Sequence, residues 1–285
     1  MNRCDVIIVN FNSGEFLKNA VESVLGSPSI AHVYVVDNAS TDTSLDSLPR
    51  DDRLSVIQNQ ANLGFAAACN IGIARATSDI AVLLNPDCQV ATGAVEHMIA
   101  ALQSAERVGM VGPLLLNANG SEQSGGRRRI PMPRIVLTHA LSRTWLGRYF
   151  PKIGHPPHLD PLPERPLDVE AISGACMMVR RAAMDAVGPL DEQYFLHCED
   201  IDWCVRFRQH GWRILFAPDA RVIHHKGVSS RHSPLTVEFY KHRSMVLFYE
   251  KFLDGNYPRY RMALVVLGIW ARFATVATKK LLRRK

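Results

Sequence analysis

Three acidic side chains, Glu199, Asp200 and Asp202, stand within four residues where the sequence begins a helix. Helix N-termini favour Asp and Glu through the macrodipole, so such a cluster is commonly a stabilising first turn. The same spacing also sets two carboxylates side by side. The dipole lowers both pKa values, whereas burial and mutual repulsion raise one of them, and both outcomes are open at this level. A second acidic group, Val36-Asp-Asn-Ala-Ser-Thr-Asp42, crowds two acids and three side-chain hydrogen-bonding groups behind an apolar run. An isolated Asp there would be a turn or cap residue; in this company Asp37 suits a ligand. Asn85-Pro-Asp87 ends another apolar run. It is either an ordinary turn or a rim carboxylate holding a divalent cation on a diphosphate. His224-His-Lys-Gly227 follows a further run, and a histidine there is either structural or a metal ligand.

The elements that carry these groups alternate in period. Val6-Ile-Ile-Val9 is a continuous β-branched run, and His32–Val36, Leu54–Ile57 and Ile80–Leu84 read as further buried strands. Between them Ser13 can cap a helix to Leu25, residues Gly64 to Ala76 are alanine-rich and helical, and Thr92 can cap a helix to about Gln103. This alternation predicts an α/β fold, a mostly parallel sheet flanked by helices, with ligands at the carboxyl ends of its strands. Asn10-Phe-Asn12, Asp37–Ser40 and Asn85–Asp87 then share one rim. Residues 171–179 read as one extended core run, and helices start at Arg181 and Glu199. Arg213–Phe216 and Arg221–His224 read as two short strands, and helices over Leu235–Leu253 and Arg259–Arg284 close the chain. Residues 117–166 interrupt this order as a long irregular insertion with eight prolines from Pro131 to Pro166.

At 47% apolar and 21% charged residues over 285 positions, the chain has the composition of a globular protein rather than a disordered one. Six scattered cysteines without a C-x-x-C give neither a disulfide framework nor a zinc knuckle, as expected for a reducing cytosol. No apolar leader precedes the first strand, so export is not expected. No G-x-G-x-x-G follows that strand and no G-x-x-x-x-G-K-[ST] occurs, which disfavours a dinucleotide-binding domain and a P-loop NTPase. The net charge of +6 is unevenly spread. Eight basic residues lie beyond residue 255 and seven between Gln123 and Leu159, both stretches free of acids, which leaves −9 for the rest. Basic segments on an acidic body predict contact with anionic lipid or a phosphorylated substrate, and no nucleic acid.

Seven segments occur in one order: Val6-Ile-Ile-Val-Asn10, Val36–Asp42, Asn62–Gly72, Leu83-Leu-Asn-Pro-Asp87, Ser173-Gly-Ala175, Phe195–Asp202 and Val222-Ile-His224. Across residues 4–250 this resembles the family-2 glycosyltransferases of the GT-A fold, most of all their rhamnosyltransferase branch. The resemblance implies inverting transfer of one sugar, rhamnose or a similar deoxyhexose, from a nucleotide-diphosphate sugar (dTDP- or UDP-linked) to a lipid-linked glycan or polysaccharide acceptor. By the same resemblance Asp37 holds nucleobase and ribose, with Asn10, Asn12 and Asn38 around it. Asn62, Gly64, Phe65, Asn70 and Asn85 approach the donor, and Asp87 and His224 meet Mg2+ or Mn2+. Asp200 is the base, with Glu199 the next candidate. Asn85 stands where the metal motif often has Asp, which removes a negative charge from the cation site. Processive relatives carry Q-x-x-R-W; Gln209-His-Gly-Trp-Arg213 reverses the last two residues, which points to single-sugar transfer. A nucleotidyltransferase, which would release pyrophosphate, and a non-catalytic sugar-nucleotide-binding relative are the competing readings.

Two expectations rest on the basic segments. Arg127, Arg128 and Arg129 follow a Gly-Gly pair and suit bidentate contacts to a phosphate of the acceptor. Residues 255–285 form an appendage to the 1–254 glycosyltransferase domain. Met262–Ala271 is apolar, Trp270 suits headgroup depth, and a basic cluster follows, so this helix is expected at the cytoplasmic face of a membrane. Ten apolar residues are half the roughly 20 a spanning helix needs, and Arg272 follows them. A buried core helix is the alternative.

Overall fold

The computed structural model describes residues 3–132, 160–225, 227, 234–253 and 258–282. Its centre is a nine-stranded sheet. The β-branched runs become β1 (Cys4–Asn10), β2 (Ile30–Asp37), β3 (Leu54–Gln58) and β4 (Ile80–Leu84), all parallel, in the order β3-β2-β1-β4. Next to β4 comes β10 (Cys176–Arg180), antiparallel to β4 and to β6 (Val108–Leu116). The sheet ends with β11 (Arg213–His224), parallel to β6, and β5 (Cys88–Val90), antiparallel to β11. β8 (Leu167–Asp168) pairs with β11, while β7 (Arg127–Arg128) and β9 (Ala171–Ile172) form a separate two-stranded ribbon.

Helices cover both faces of the sheet. α1 (Glu15–Leu25) and α3 (Ala94–Gln103) bury Leu17, Val21, Val24, Met98 and Leu102 against Val6, Ile8, Val33 and Val35. α2 (Phe65–Arg75), α4 (Arg181–Val187) and α5 (Glu199–Gln209) close the other face with Ala66, Ala183, Met184, Trp203 and Phe207 around Ile7, Leu83 and Met177. A third cluster, with Tyr194, Val205, Phe248, Leu253 and Ile269, fastens α6 (Pro234–Leu253) and α7 (Arg259–Leu282) to α5.

Several local expectations are corrected. Ser13 and Thr92 do not cap their helices; the N-caps are Gly14 and Gly93, at φ 55° and 81°, without a side-chain cap bond. In each case the chain enters the helix through a left-handed residue, and the Gly14 amide donates to Asp42 Oδ2 at 2.8 Å. Residues 171–179 are two strands rather than one, separated at Ser173-Gly174-Ala175. Conversely, residues 213–224 form one strand, bulged between Ala217 and Arg221. β6 and β5 were not foreseen. Two glycines and a proline disguise β6, and they fit because Gly112 leaves room for Ile172, whose Cγ2 would lie 2.6 Å from an added Cβ.

α6 and α7 form an antiparallel hairpin tied by Lys280 Nζ to Glu238 Oε1 at 3.0 Å and to the Pro234 carbonyl at 3.3 Å. α7 is not a core helix. Only Ile269 of it is buried, whereas Leu264 and Leu267 are 63% and 65% exposed. Over 24 residues, with a mean hydropathy of 1.4 in its most apolar window, it is long and apolar enough to cross a membrane. Of the 117–166 insertion the structure describes residues up to 132 and from 160; Arg134, Arg143, Arg148 and Lys152 lie outside the described residues, as do the terminal Arg283, Arg284 and Lys285.

Candidate active site

Parallel register puts Asn10 of β1 beside Asp37 of β2 at the carboxyl rim. Both are buried, and Asp37 is the hub of a local network. Asn10 Nδ2 donates to Asp37 Oδ1 at 2.7 Å and to Ser44 Oγ at 2.8 Å. The Ser40 hydroxyl donates to Asp37 Oδ1 at 2.6 Å, and the Ser40 amide to Oδ2 at 3.0 Å. Asn12, at φ 52°, accepts the Thr41 amide on Oδ1 at 2.8 Å, which folds the 38–42 loop back over the rim. Asn38 bridges outward, donating to the Gly64 carbonyl and accepting from Asn59.

Asn62, Gly64, Phe65 and Asn70 join the first half of the chain to the approach to α5. Asn62 Oδ1 accepts the Gly64 amide at 3.0 Å, and the Phe65 amide donates to the Phe195 carbonyl at 2.8 Å. Gly64 has φ 87°, and a Cβ there would lie 2.6 Å from the Phe195 carbonyl oxygen, so no side chain fits. Asn70 clamps Leu190 from both ends of its amide and reaches Glu192 Oε1 at 2.9 Å.

Beyond β4, Asn85 donates its amide to the Ala175 carbonyl at 2.8 Å and accepts the Cys88 amide in a tight turn. That turn directs Asp87 toward the end of β11, where His224 Nε2 lies 3.2 Å from Asp87 Oδ1. Asp87, Cys88 and His224 bring ligand atoms within 4.8 Å of one another, all buried. Burial holds the Cys88 thiol well above its ordinary pKa, and its hydrogen is engaged with the Ala175 carbonyl at 3.3 Å. One carboxylate oxygen and one imidazole nitrogen remain, a donor set that fits a divalent cation with positions open for a diphosphate. Gln123, in no motif of the sequence, lies against His224 Nδ1 at 2.7 Å.

The acidic pair opens α5 after two consecutive non-glycine residues in left-handed backbone, His197 at φ 68° and Cys198 at φ 70°. Asp200 accepts the Gly174 amide on Oδ2 at 2.9 Å and the Ile201 amide on Oδ1 at 2.8 Å, and Arg128 forms an ion pair with Oδ2. Burial would raise its pKa, but the guanidinium and the two amides outweigh burial and hold Asp200 below the ordinary carboxylate value. Glu199 is pushed up to about 8 by burial and by the charge of Asp200 beside it. The pair therefore carries one negative charge near neutral pH, on Asp200. Asp202 is not part of it; fully buried, it pairs with Arg206 and Lys251 at 2.6 Å each and fastens α5 to α6.

The three arginines differ in placement. Arg127 is buried and grips Glu122 with two bonds, at 2.8 Å and 3.0 Å, while donating to the Asp160 carbonyl at 2.7 Å. Arg128, about a quarter exposed, covers Asp200 and also donates to the Ile172 carbonyl at 2.7 Å. Arg129 is exposed. β7–β9 pairing turns Arg127 and Arg128 to opposite sides, because neighbouring residues of a strand face opposite ways, and Arg129 lies beyond the strand.

Residues 5–188 match the model of the family described as Glycosyl transferase family 2. Among curated proteins, the chain is 30% identical over 256 residues to an N-acetylglucosaminyl-diphospho-decaprenol L-rhamnosyltransferase of Mycobacterium tuberculosis, covering 85% of this chain and 82% of the relative. It is 23% identical over 257 residues to a dTDP-rhamnosyl transferase of Shigella flexneri, covering 86% and 79%. Among solved structures, a mannosyltransferase from Pyrobaculum calidifontis in complex with GDP-Man and Mn2+ superposes with a TM-score of 0.60 at 17% identity, covering 95% of this chain and 69% of the other. That last likeness concerns the fold, a GT-A sheet with its flanking helices.

Proposed function

The chain belongs to glycosyltransferase family 2, a nucleotide-sugar-dependent enzyme, and from that premise we propose that it transfers one L-rhamnose or similar deoxyhexose, with inversion, to a hydroxyl of a lipid-linked glycan. The observation that carries the reading is the placement of Asp200, held by the amide of Gly174, whose neighbour Ala175 braces the Asp87 turn with its carbonyl. A carboxylate so placed takes the proton of the acceptor hydroxyl as the new bond forms, a contribution of about 10²–10⁴-fold. Glu199, neutral beside it, leaves Asp200 as the charge the hydroxyl meets. Asp37, Asn10, Asn12 and Asn38 shape the nucleoside end, and Asn62, Gly64, Phe65, Asn70 and Asn85 the wall along which the donor lies. A divalent cation on Asp87 and His224 would neutralise the charge growing on the departing nucleoside diphosphate. An imidazole ligand favours Mn2+ over Mg2+.

Arg128 and Arg129 serve the acceptor end. A lipid diphosphate offers Arg128 a second anion, so acceptor binding draws the guanidinium from Asp200 and frees the oxygen that must accept a proton. α7, as part of residues 255–285, rests in the cytoplasmic leaflet: Leu264 and Leu267 are exposed on it, Arg272 stands among its exposed residues, and Arg259, Arg261, Lys279 and Lys280 flank it. The Shigella flexneri relative, named a dTDP-rhamnosyl transferase, supports a dTDP-linked donor. The test is purified chain with dTDP- or UDP-sugars, Mn2+ and a polyprenyl-diphosphate N-acetylglucosamine, reading free nucleoside diphosphate and the anomeric configuration of the product by NMR. Retained configuration, or pyrophosphate as the released group, would sink the proposal.

A further inference from the structure

His224 has two ring nitrogens to offer a cation, and a buried amide selects between them. Gln123 Oε1 lies 2.7 Å from His224 Nδ1. Gln123 Nε2 donates to the His224 carbonyl at 3.1 Å and to Asn117 Oδ1 at 3.0 Å. A carbonyl cannot donate, so turning the amide over would set its oxygen against the His224 carbonyl. Asn117 is fixed in turn, its Nδ2 donating to Ser121 Oγ at 2.9 Å. With the Gln123 orientation settled, its Oε1 and Nδ1 make a hydrogen bond only when Nδ1 carries the proton. That leaves Nε2, the atom 3.2 Å from Asp87 Oδ1, as the nitrogen to meet a cation. The Gln123 backbone N–H donates to the Leu115 carbonyl at 2.8 Å, which anchors the residue to β6. Gln123, His224 and Asp87 are 4%, 8% and 5% exposed, so water does not compete for these bonds.

We propose that Gln123 is a positioning residue of the cation site: it holds His224 as the Nδ1-protonated tautomer and fixes its ring plane, so that Nε2 and the Asp87 carboxylate converge on one divalent ion. The proposal rests on the cation role given above to Asp87 and His224. Gln123 touches neither substrate nor ion and acts through the imidazole alone. Removing an outer partner of a metal-bound histidine typically weakens metal binding about 10–100-fold.

The tautomer is read directly by long-range ¹H–¹⁵N correlation of the histidine rings in the full chain without metal, at about pH 8 where an ordinary ring is neutral. His224→Ala identifies the signal. A proton on Nδ1 is expected; a ring with its proton on Nε2 alone overturns the proposal without any Gln123 variant having to fold. A second arm titrates Mn2+ alone and follows the free ion by EPR. Gln123→Met, close in size but without the acceptor, should weaken Mn2+ at least about 10-fold. Unchanged Mn2+ affinity in Gln123→Met overturns the positioning role, whereas unchanged affinity in His224→Ala overturns the cation reading beneath it.

Discussion

Replacing Glu199 by Gln probes the charge state of the acidic pair. Glu199 is 6% exposed, its Oε2 has no hydrogen-bond partner among the described residues, and burial plus the neighbouring Asp200 push its pKa up to about 8. The unfolded chain gives up the same proton near the ordinary value of about 4.3. Between those values the native state holds one proton more than the unfolded state, so stability falls as pH rises, by about 1.4 kcal/mol per pH unit. The contribution is whole below the unfolded value and gone above about 8, roughly 4–5 kcal/mol across the window for a buried group. Gln matches the neutral carboxyl in shape and does not titrate. Urea unfolding of both proteins should therefore show the stability difference swinging toward Glu199→Gln by about 3 kcal/mol or more between roughly pH 5 and pH 8. A swing below about 1 kcal/mol refutes the reasoning, because Glu199 would then be ionised in the native state. Asp200 does not confuse the reading. Its pKa is lowered, so the stability it contributes is present above the ordinary carboxylate value and lost only as pH falls through the lower folded value.

Asp200→Asn should cut transfer by about 10²–10⁴-fold while donor affinity, measured by calorimetry, stays within about 2-fold. Asp87→Ala should remove the Mn2+-dependent part of donor binding, seen as a donor affinity that no longer responds to added metal. Arg128→Gln should raise the apparent KM of the acceptor and leave that of the donor alone. Arg127→Gln should instead lower stability in urea by roughly 3 kcal/mol, since it strands the partly buried Glu122 carboxylate. Joint Leu264→Glu and Leu267→Glu, on the exposed face of α7, should abolish sedimentation with anionic liposomes and leave the circular dichroism and donor affinity unchanged.

The strands whose side chains are buried on both faces were legible because β-branched runs such as Val6–Val9 have no other stable use, and their ends fixed the rim. β6 was hidden by its own packing: the Gly109, Gly112 and Pro113 that let Phe207 and Ile172 approach are the residues that spell loop when read alone. Helix starts were misread for a related reason, since Ser13 and Thr92 are good caps by chemistry but are followed by glycines that take the turn themselves. At the site, Asp200, Asp87 and His224 announce themselves by type and company. Gln123 and the Arg128–Asp200 pair do not. They reach their partners across 101 and 72 residues of sequence, a separation that no local pattern spans. Arg127 and Arg128 look alike in a basic run, yet alternation along β7 gives them opposite surroundings.

The antiparallel pairing of β10 with β4 makes strand register a ruler. Leu84 sits opposite Cys176. Asp87 lies three residues beyond Leu84, and Gly174, whose amide holds Asp200, lies two residues before Cys176. A slip of one residue along this pair moves one acid past the other by about 3.4 Å and turns every side chain of the strand to the wrong face. The span between the two acids is thus a property of backbone ladders rather than of loops. Deleting a single residue from Cys176–Arg180 resets that dimension.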